Sequence, residues 1–131
     1  MIKCLGTNAE FVAYVHERTF DTVSSLMAEL EAEPFPYAYG RYEDRAMTLM
    51  SLSVPKPLRN RGYGTALLRA VALGCRRLGL RRIDLDDMSD RQGQKNNIYV
   101  KFGFRYRRPG FPEMYMSINR AIGVRAPFEL L

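Results

Sequence analysis

Val54-Pro55-Lys56-Pro57-Leu58-Arg59-Asn60-Arg61-Gly62-Tyr63-Gly64 joins an apolar run, Ala46 to Val54, to a run with helical spacing, Thr65 to Leu78. The joint carries basic residues and two glycines one apart. A helix that starts here leaves its first N–H groups without intrahelical partners, beside the positive end of its dipole, and both favour an anion. Glycines let such backbone approach a phosphate closely and take up φ values that other residues resist. The pattern therefore predicts a phosphorylated ligand at this joint.

Working outward, Leu67, Leu68, Val71, Cys75 and Leu78 form one helical stripe, with Gly79 placed to end it. Ala46 to Val54 reads as a strand buried on both faces. Arg81 to Met88 reads as another, with Ile83 and Leu85 alternating against Asp84 and Asp86. Strand, helix and strand in this order imply a right-handed crossover between parallel strands. Upstream, Ile2 to Leu5 and Phe11 to Thr19 read as strands around Gly6-Thr7-Asn8. Asp21 is the expected cap of a helix from Thr22 to Glu33, stopped by Pro34 and Pro36. Tyr37 to Arg45 has no decisive pattern, and a short strand with a turn fits it. Downstream come a polar loop, Ser89 to Gln94, and a short helix, Lys95 to Phe102, closed by Gly103. Phe104 to Arg107 and Glu113 to Asn119 then pair around Pro109-Gly110. The 131 residues read as one α/β domain, 1–131.

Composition narrows the function classes. Apolar residues make up 47% and charged residues 26%, and no apolar run approaches the roughly 20 residues of a membrane span. The opening Met1-Ile2-Lys3-Cys4-Leu5-Gly6 lacks a signal-peptide apolar core, so a soluble, cytoplasmic protein is expected. Cys4 and Cys75 make no disulfide framework, and Cys75 fits the helical stripe as a small core residue. With His16 as the single histidine, no metal site is expected, and a Cys4–His16 nucleophilic pair lacks an orienting third group. A net charge of +6 suits an anionic partner. Arg76, Arg77, Arg81 and Arg82, with Arg105, Arg107 and Arg108, read first as a solvated basic face. A nucleic-acid-binding module is the alternative, but Tyr106 alone supplies a stacking ring among these arginines.

Two phosphate-binding glycine patterns fail. A Walker A loop needs a lysine that does not follow Gly64, and a dinucleotide fingerprint needs a small residue where Leu67 stands. Asp84 does lie about 20 residues on, where a ribose-binding acid belongs. A third pattern holds. Arg59-Asn60-Arg61-Gly62-Tyr63-Gly64 fits Arg/Gln-x-x-Gly-x-Gly/Ala and resembles the pyrophosphate loop of the GNAT superfamily of acyl-coenzyme-A-dependent N-acetyltransferases. Farther on, Asn97-Ile98-Tyr99-Val100-Lys101-Phe102-Gly103-Phe104 is similar to that family's Leu-Tyr-x-Lys-x-Gly-Phe segment. The resemblance runs from about Ala46 to Tyr106.

The resemblance implies a GNAT fold, a mixed twisted sheet with a V-shaped splay between two parallel strands. It implies acetyl-coenzyme A as co-substrate, its pyrophosphate held by backbone N–H groups of Asn60, Arg61, Gly62, Tyr63, Gly64 and Thr65. Leu52 and Val54 would pair with the pantetheine amides, and Arg59 or Arg61 would add charge. Tyr99 takes the position of the family's proton donor to the departing thiolate. Asp86, Asp87 or a water chain would take the amine proton. Where the family places an asparagine and an alanine ahead of the tyrosine, this chain has Gln92 and Lys95, so the amide contact falls to Asn96 or Asn97. Acidic residues at the mouth (Asp86, Asp87, Glu31 and Glu33) suit a cationic acceptor: a lysine, a protein N-terminus, a polyamine or an aminoglycoside. A homodimer through the C-terminal strands and Arg125 to Leu131 is a further expectation, and an acyl-coenzyme-A-binding fold without turnover is the rival reading.

Overall fold

The computed structural model describes residues 2–89 and 96–125. Its strands are β1 (Ile2–Gly6), β2 (Glu10–Val15), β3 (Tyr37–Glu43), β4 (Ala46–Ser53), β5 (Arg82–Asp86), β6 (Arg105–Tyr106) and β7 (Glu113–Ser117). The helices are α1 (Val23–Ala32), α2 (Tyr63–Arg77), α3 (Ile98–Phe102) and α4 (Ile118–Ala121). All seven strands form one sheet in the order β1-β2-β3-β4-β5-β7-β6. Every pairing is antiparallel except that of β4 with β5, which α2 connects. This is the mixed α/β architecture anticipated from the strand–helix–strand unit.

Local chemistry explains several boundaries. β2 stops at Val15 rather than Thr19, because the His16 ring turns the chain by accepting the Arg18 N–H at Nδ1, 2.9 Å away. The cap of α1 is Thr22 rather than Asp21; its hydroxyl accepts from the Ser25 N–H at 3.0 Å. The indecisive stretch before Arg45 is a full strand, β3, turned into β4 at Asp44, whose φ is +56°. Gly79 and Gly103 close α2 and α3 with φ of +75° and +118°, as their sequence positions suggested.

The sheet has two apolar layers. On one face α1 packs Leu26 over Val12 and Tyr14, with Phe20 and Phe35. On the other, Leu67, Leu68, Val71 and Cys75 of α2 cover Ala13, Ala38, Met47, Leu49, Ile83 and Leu85. Cys75 is buried, and burial pushes its thiol up to about 12. Gly74 lets α2 settle against Phe11; a β-carbon there would lie 2.2 Å from the ring. Leu78, expected in the stripe, is instead exposed, since the helix ends there and turns away from the sheet.

β4 corrects another expectation. It is not buried on both faces: Met47 and Leu49 are covered, while Thr48 and Met50 face solvent. Gly40 of β3 stands opposite Leu49 and Tyr39 opposite Ser51, so Met50 is an extra residue, a bulge. A one-residue insertion switches the faces of all that follows. Leu52 and Val54 consequently return to the α2 side, packed against the core.

Candidate active site

β4 and β5 share four rungs, from Ala46 opposite Arg82 to Leu49 opposite Leu85. Beyond them β4 continues to Ser53 against β3 alone, and β5 continues to Asp86 against β7 alone. The two strands part at their C-terminal ends. The gap is a cavity of about 380 Å³ lined by Leu49 to Ser53, Leu85, Asp86, Met88 and Ser89, with Tyr37 and Tyr99 closing its sides. Leu52 and Val54 lie two apart, so their main-chain groups face the same edge of β4.

At the head of this gap the chain turns through Lys56–Leu58 and enters α2. Asn60 and Gly62 both take left-handed backbone, φ +63° and +88°. Asparagine and glycine are the residues that tolerate it. No side chain caps α2 and no acidic residue occupies its first turn, so the N–H groups of the Gly62–Thr65 turn meet no competing anion from the chain itself. Arg61 is exposed; Arg59 folds back, its Nε donating to the Val54 carbonyl at 2.9 Å.

The opposite wall is tied together by Asp87, which is fully buried. Its Oδ1 accepts from the Ser89 hydroxyl at 2.6 Å and the Ser89 N–H at 3.1 Å. Its Oδ2 accepts from Asn97 at 2.7 Å and from the Tyr106 hydroxyl at 2.6 Å. Burial pushes this carboxyl up, but the bonds from Ser89, Tyr106 and Asn97 outweigh it and hold it below the usual carboxylate value. Asn97 also caps α3, its Oδ1 accepting from the Tyr99 N–H at 2.8 Å. The network thus fixes the helix that carries Tyr99. The Tyr99 ring meets Phe104 edge-on, and its phenol is pushed above its ordinary 10.0 by burial and then by the nearby Asp87 charge.

These positions redistribute the expected roles. Asp86 and Tyr99 line the gap, as do Leu52 and the strand leading to Val54. Asp87 and Asn97 turn inward to each other, the Asn97 amide donating to the Asp87 carboxylate. Gln92 and Lys95, and the tail after Arg125, lie outside the described residues. Cys4 faces the α2 side of the sheet while His16 packs on Phe20 and Phe35 over the other, so they form no pair. Sequence reasoning missed Ser89 and Tyr106 as supports and Met50 and Met88 as lining. Tyr106 was hidden by the arginines around it, whose charges find local partners. Arg82 and Arg107 both pair with Asp84, and Arg108 pairs with Glu113.

Comparison with known proteins bears directly on this geometry. Residues 7–104 match the profile of the Acetyltransferase (GNAT) family. The chain belongs to this GNAT family. Among solved structures, GCN5 of Tetrahymena superposes with a TM-score of 0.58 at 14% identity, over 86% of this chain and 70% of that one. The ribosomal-protein-S18-alanine N-acetyltransferase from Escherichia coli gives 0.52 at 14%, over 83% and 94%. A cAMP-binding acyltransferase from Mycobacterium smegmatis gives 0.61 at 17%, over 92% of this chain and 35% of its own. No curated protein sequence matches the chain. The shared feature is the fold.

Acetyl-coenzyme A is the co-substrate of GNAT enzymes. An uncapped helix start beside a glycine turn fits its diphosphate, and a strand edge without a neighbour fits its extended amide-bearing arm. Among the described residues, no three His, Cys, Asp or Glu gather as metal ligands, and no helix is long and apolar enough to cross a membrane.

Proposed function

We propose that this GNAT protein transfers the acetyl group of acetyl-coenzyme A to a primary amine by direct attack in a ternary complex. The observation that carries the reading is the parting of β4 from β5 after Leu49 and Leu85, with Tyr99 and Asp86 on the cavity it opens. Main-chain N–H groups of Asn60 to Thr65 hold the diphosphate, with Arg59 and Arg61 adding charge, and Leu52 and Val54 present the edge that aligns the arm. Acetyl-coenzyme A, when bound, supplies the thioester, so a C–N bond forms as the C–S bond breaks.

Two protons then need handling. An alkylammonium has a pKa near 10.4, so its proton must leave before attack. Asp86 lines the cavity, is exposed, and accepts that proton directly or through water. Tyr99 donates to the departing sulfur and regains its proton from solvent; its raised pKa keeps the phenol protonated throughout the neutral range. Asp87 and Asn97 act as positioning residues, through α3. Much of the rate comes from holding amine and thioester within about 3.5 Å of each other.

The test is coenzyme-A release by purified protein across a panel of amines, alongside thermal shift on adding acetyl-coenzyme A. Turnover of at least one amine, with a shift, is expected. Silence across the panel with no shift overturns the assignment.

A further inference from the structure

Five large apolar side chains are exposed among the described residues, and the two most exposed line the same cavity. Met88 is 82% and Met50 is 58% accessible, one on each side of the gap between β4 and β5. Both arrive there by irregular backbone rather than by strand alternation: Met50 is the bulged residue, and Met88 lies just past the end of β5. Apolar surface held open at a cleft mouth marks a place where something apolar is received. Methionine suits that task, because its unbranched thioether adapts to the guest.

The charge of the cavity is as telling. Among the described residues, Asp86 is the one acidic residue lining it, and no basic residue does. Its neighbour Asp87 is enclosed by four hydrogen bonds. Glu113, opposite Asp86 on β7, pairs through Oε1 with Arg108 at 3.3 Å, and its Oε2 is buried without a hydrogen-bond partner among the described residues. One carboxylate can balance one ammonium. A second or third positive charge on the acceptor would meet no further carboxylate among the described lining residues.

We infer that the acceptor is a monoamine carried on an apolar body, received between Met50 and Met88 with its nitrogen toward Asp86. Polyamines and aminoglycosides, which carry several charges and little apolar surface, fit this reading less well than the other cationic acceptors. An amine of lower basicity suits a site with a single proton acceptor. An α-amino group, with a pKa near 7.7–8.0, is already partly neutral at pH 7, whereas a lysine side chain is not. A peptide opening with an apolar residue has both features, whereas a small aralkylamine has the apolar body but the basicity of an ordinary alkylamine. The inference rests on the acetyl-transfer reading above.

The experiment compares kcat/KM of the full chain, with saturating acetyl-coenzyme A, across five acceptors. These are a short peptide with a free N-terminal methionine, phenethylamine, an N-terminally blocked peptide with one lysine, spermidine and an aminoglycoside. The peptide or phenethylamine should exceed spermidine and the aminoglycoside by about tenfold or more, the scale of a few buried methylenes. M50D and M88D, both at exposed positions, should cut that ratio several-fold when each variant is assayed at its own saturating acetyl-coenzyme A. Equal or faster turnover of spermidine or the aminoglycoside overturns the inference, as does an unchanged ratio in both variants. A shift with acetyl-coenzyme A but no turnover of any of the five overturns it too, and leaves the donor site standing. Absence of the shift fells the acetyl-transfer reading itself.

Discussion

The lower half of β4, Ala46–Leu49, and its upper half, Met50–Ser53, are made of similar residues and meet different fates. The lower half has β3 on one edge and β5 on the other, with Met47 and Leu49 sealed beneath α2. The upper half keeps β3 and loses β5, and the bulge at Met50 marks the change. An unpaired strand edge is ordinarily a liability, because its N–H and C=O groups seek partners. Here it faces an open cleft with a phenol and a carboxylate on the far wall. One half of the strand holds the molecule together, and the other is left unfinished for a ligand to complete.

The largest expected effect strikes the unfinished half. Tyr99→Phe should lower kcat about 10²-fold or more, the range for losing a general acid, with acetyl-coenzyme A still raising the melting temperature. Initial rates under saturating donor decide it, and wild-type turnover would remove Tyr99 from the mechanism. Next, Leu49→Ala should cost about 2–5 kcal/mol through the cavity it leaves. Met50→Ala, one residue on, should stay within about 0.5 kcal/mol, as exposed substitutions do. Urea unfolding of both variants tests the division directly; similar losses would mean that the halves are not distinct.

Asp87 offers a smaller, pH-dependent test of the far wall. Its folded pKa lies below the ordinary 3.8. Its contribution to stability is therefore complete above that value and is lost as pH falls through the lower, folded one. Asp87→Asn should cost about 1–3 kcal/mol at neutral pH, because donors aimed at a carboxylate meet an amide. The variant should also show a shallower acid limb than wild type in urea midpoints between pH 2 and pH 7. Gly62→Ala comes next. At φ +88° a β-carbon costs about 1 kcal/mol, read as a lower melting temperature and a several-fold weaker titration with acetyl-coenzyme A.

What was legible in the chain followed from short-range chemistry. Ile83 and Leu85 alternating with aspartates gave β5, Gly79 and Gly103 marked helix ends, and the glycines of the Arg59–Gly64 joint marked the start of α2. What was illegible depended on partners far away in sequence. Asp86 and Asp87 are adjacent and chemically identical, yet Asp87 is claimed by Ser89, Asn97 and Tyr106 while Asp86 is left on the cavity. No local pattern distinguishes them. The bulge at Met50 was equally hidden, since it exists only as an offset between β3 and β4. Methionine and threonine suit either face of a strand, so Ala46–Ser53 looked uniformly apolar when it is half so.

The four rungs between β4 and β5 also have a mechanical side. With the Arg81 N–H donating to the Arg45 carbonyl at 2.7 Å just before them, they make the hydrogen-bonded seam between two antiparallel ribbons, β1 to β4 and β5 to β6. α2 straps that seam on one surface, reaching β1 to β4 as well as α3 and α4, whereas α1 braces only the first ribbon on the reverse. The two ribbons are therefore held together by the core under α2, which joins Met47 and Leu49 of β4 with Ile83 and Leu85 of β5, as well as by the rungs themselves.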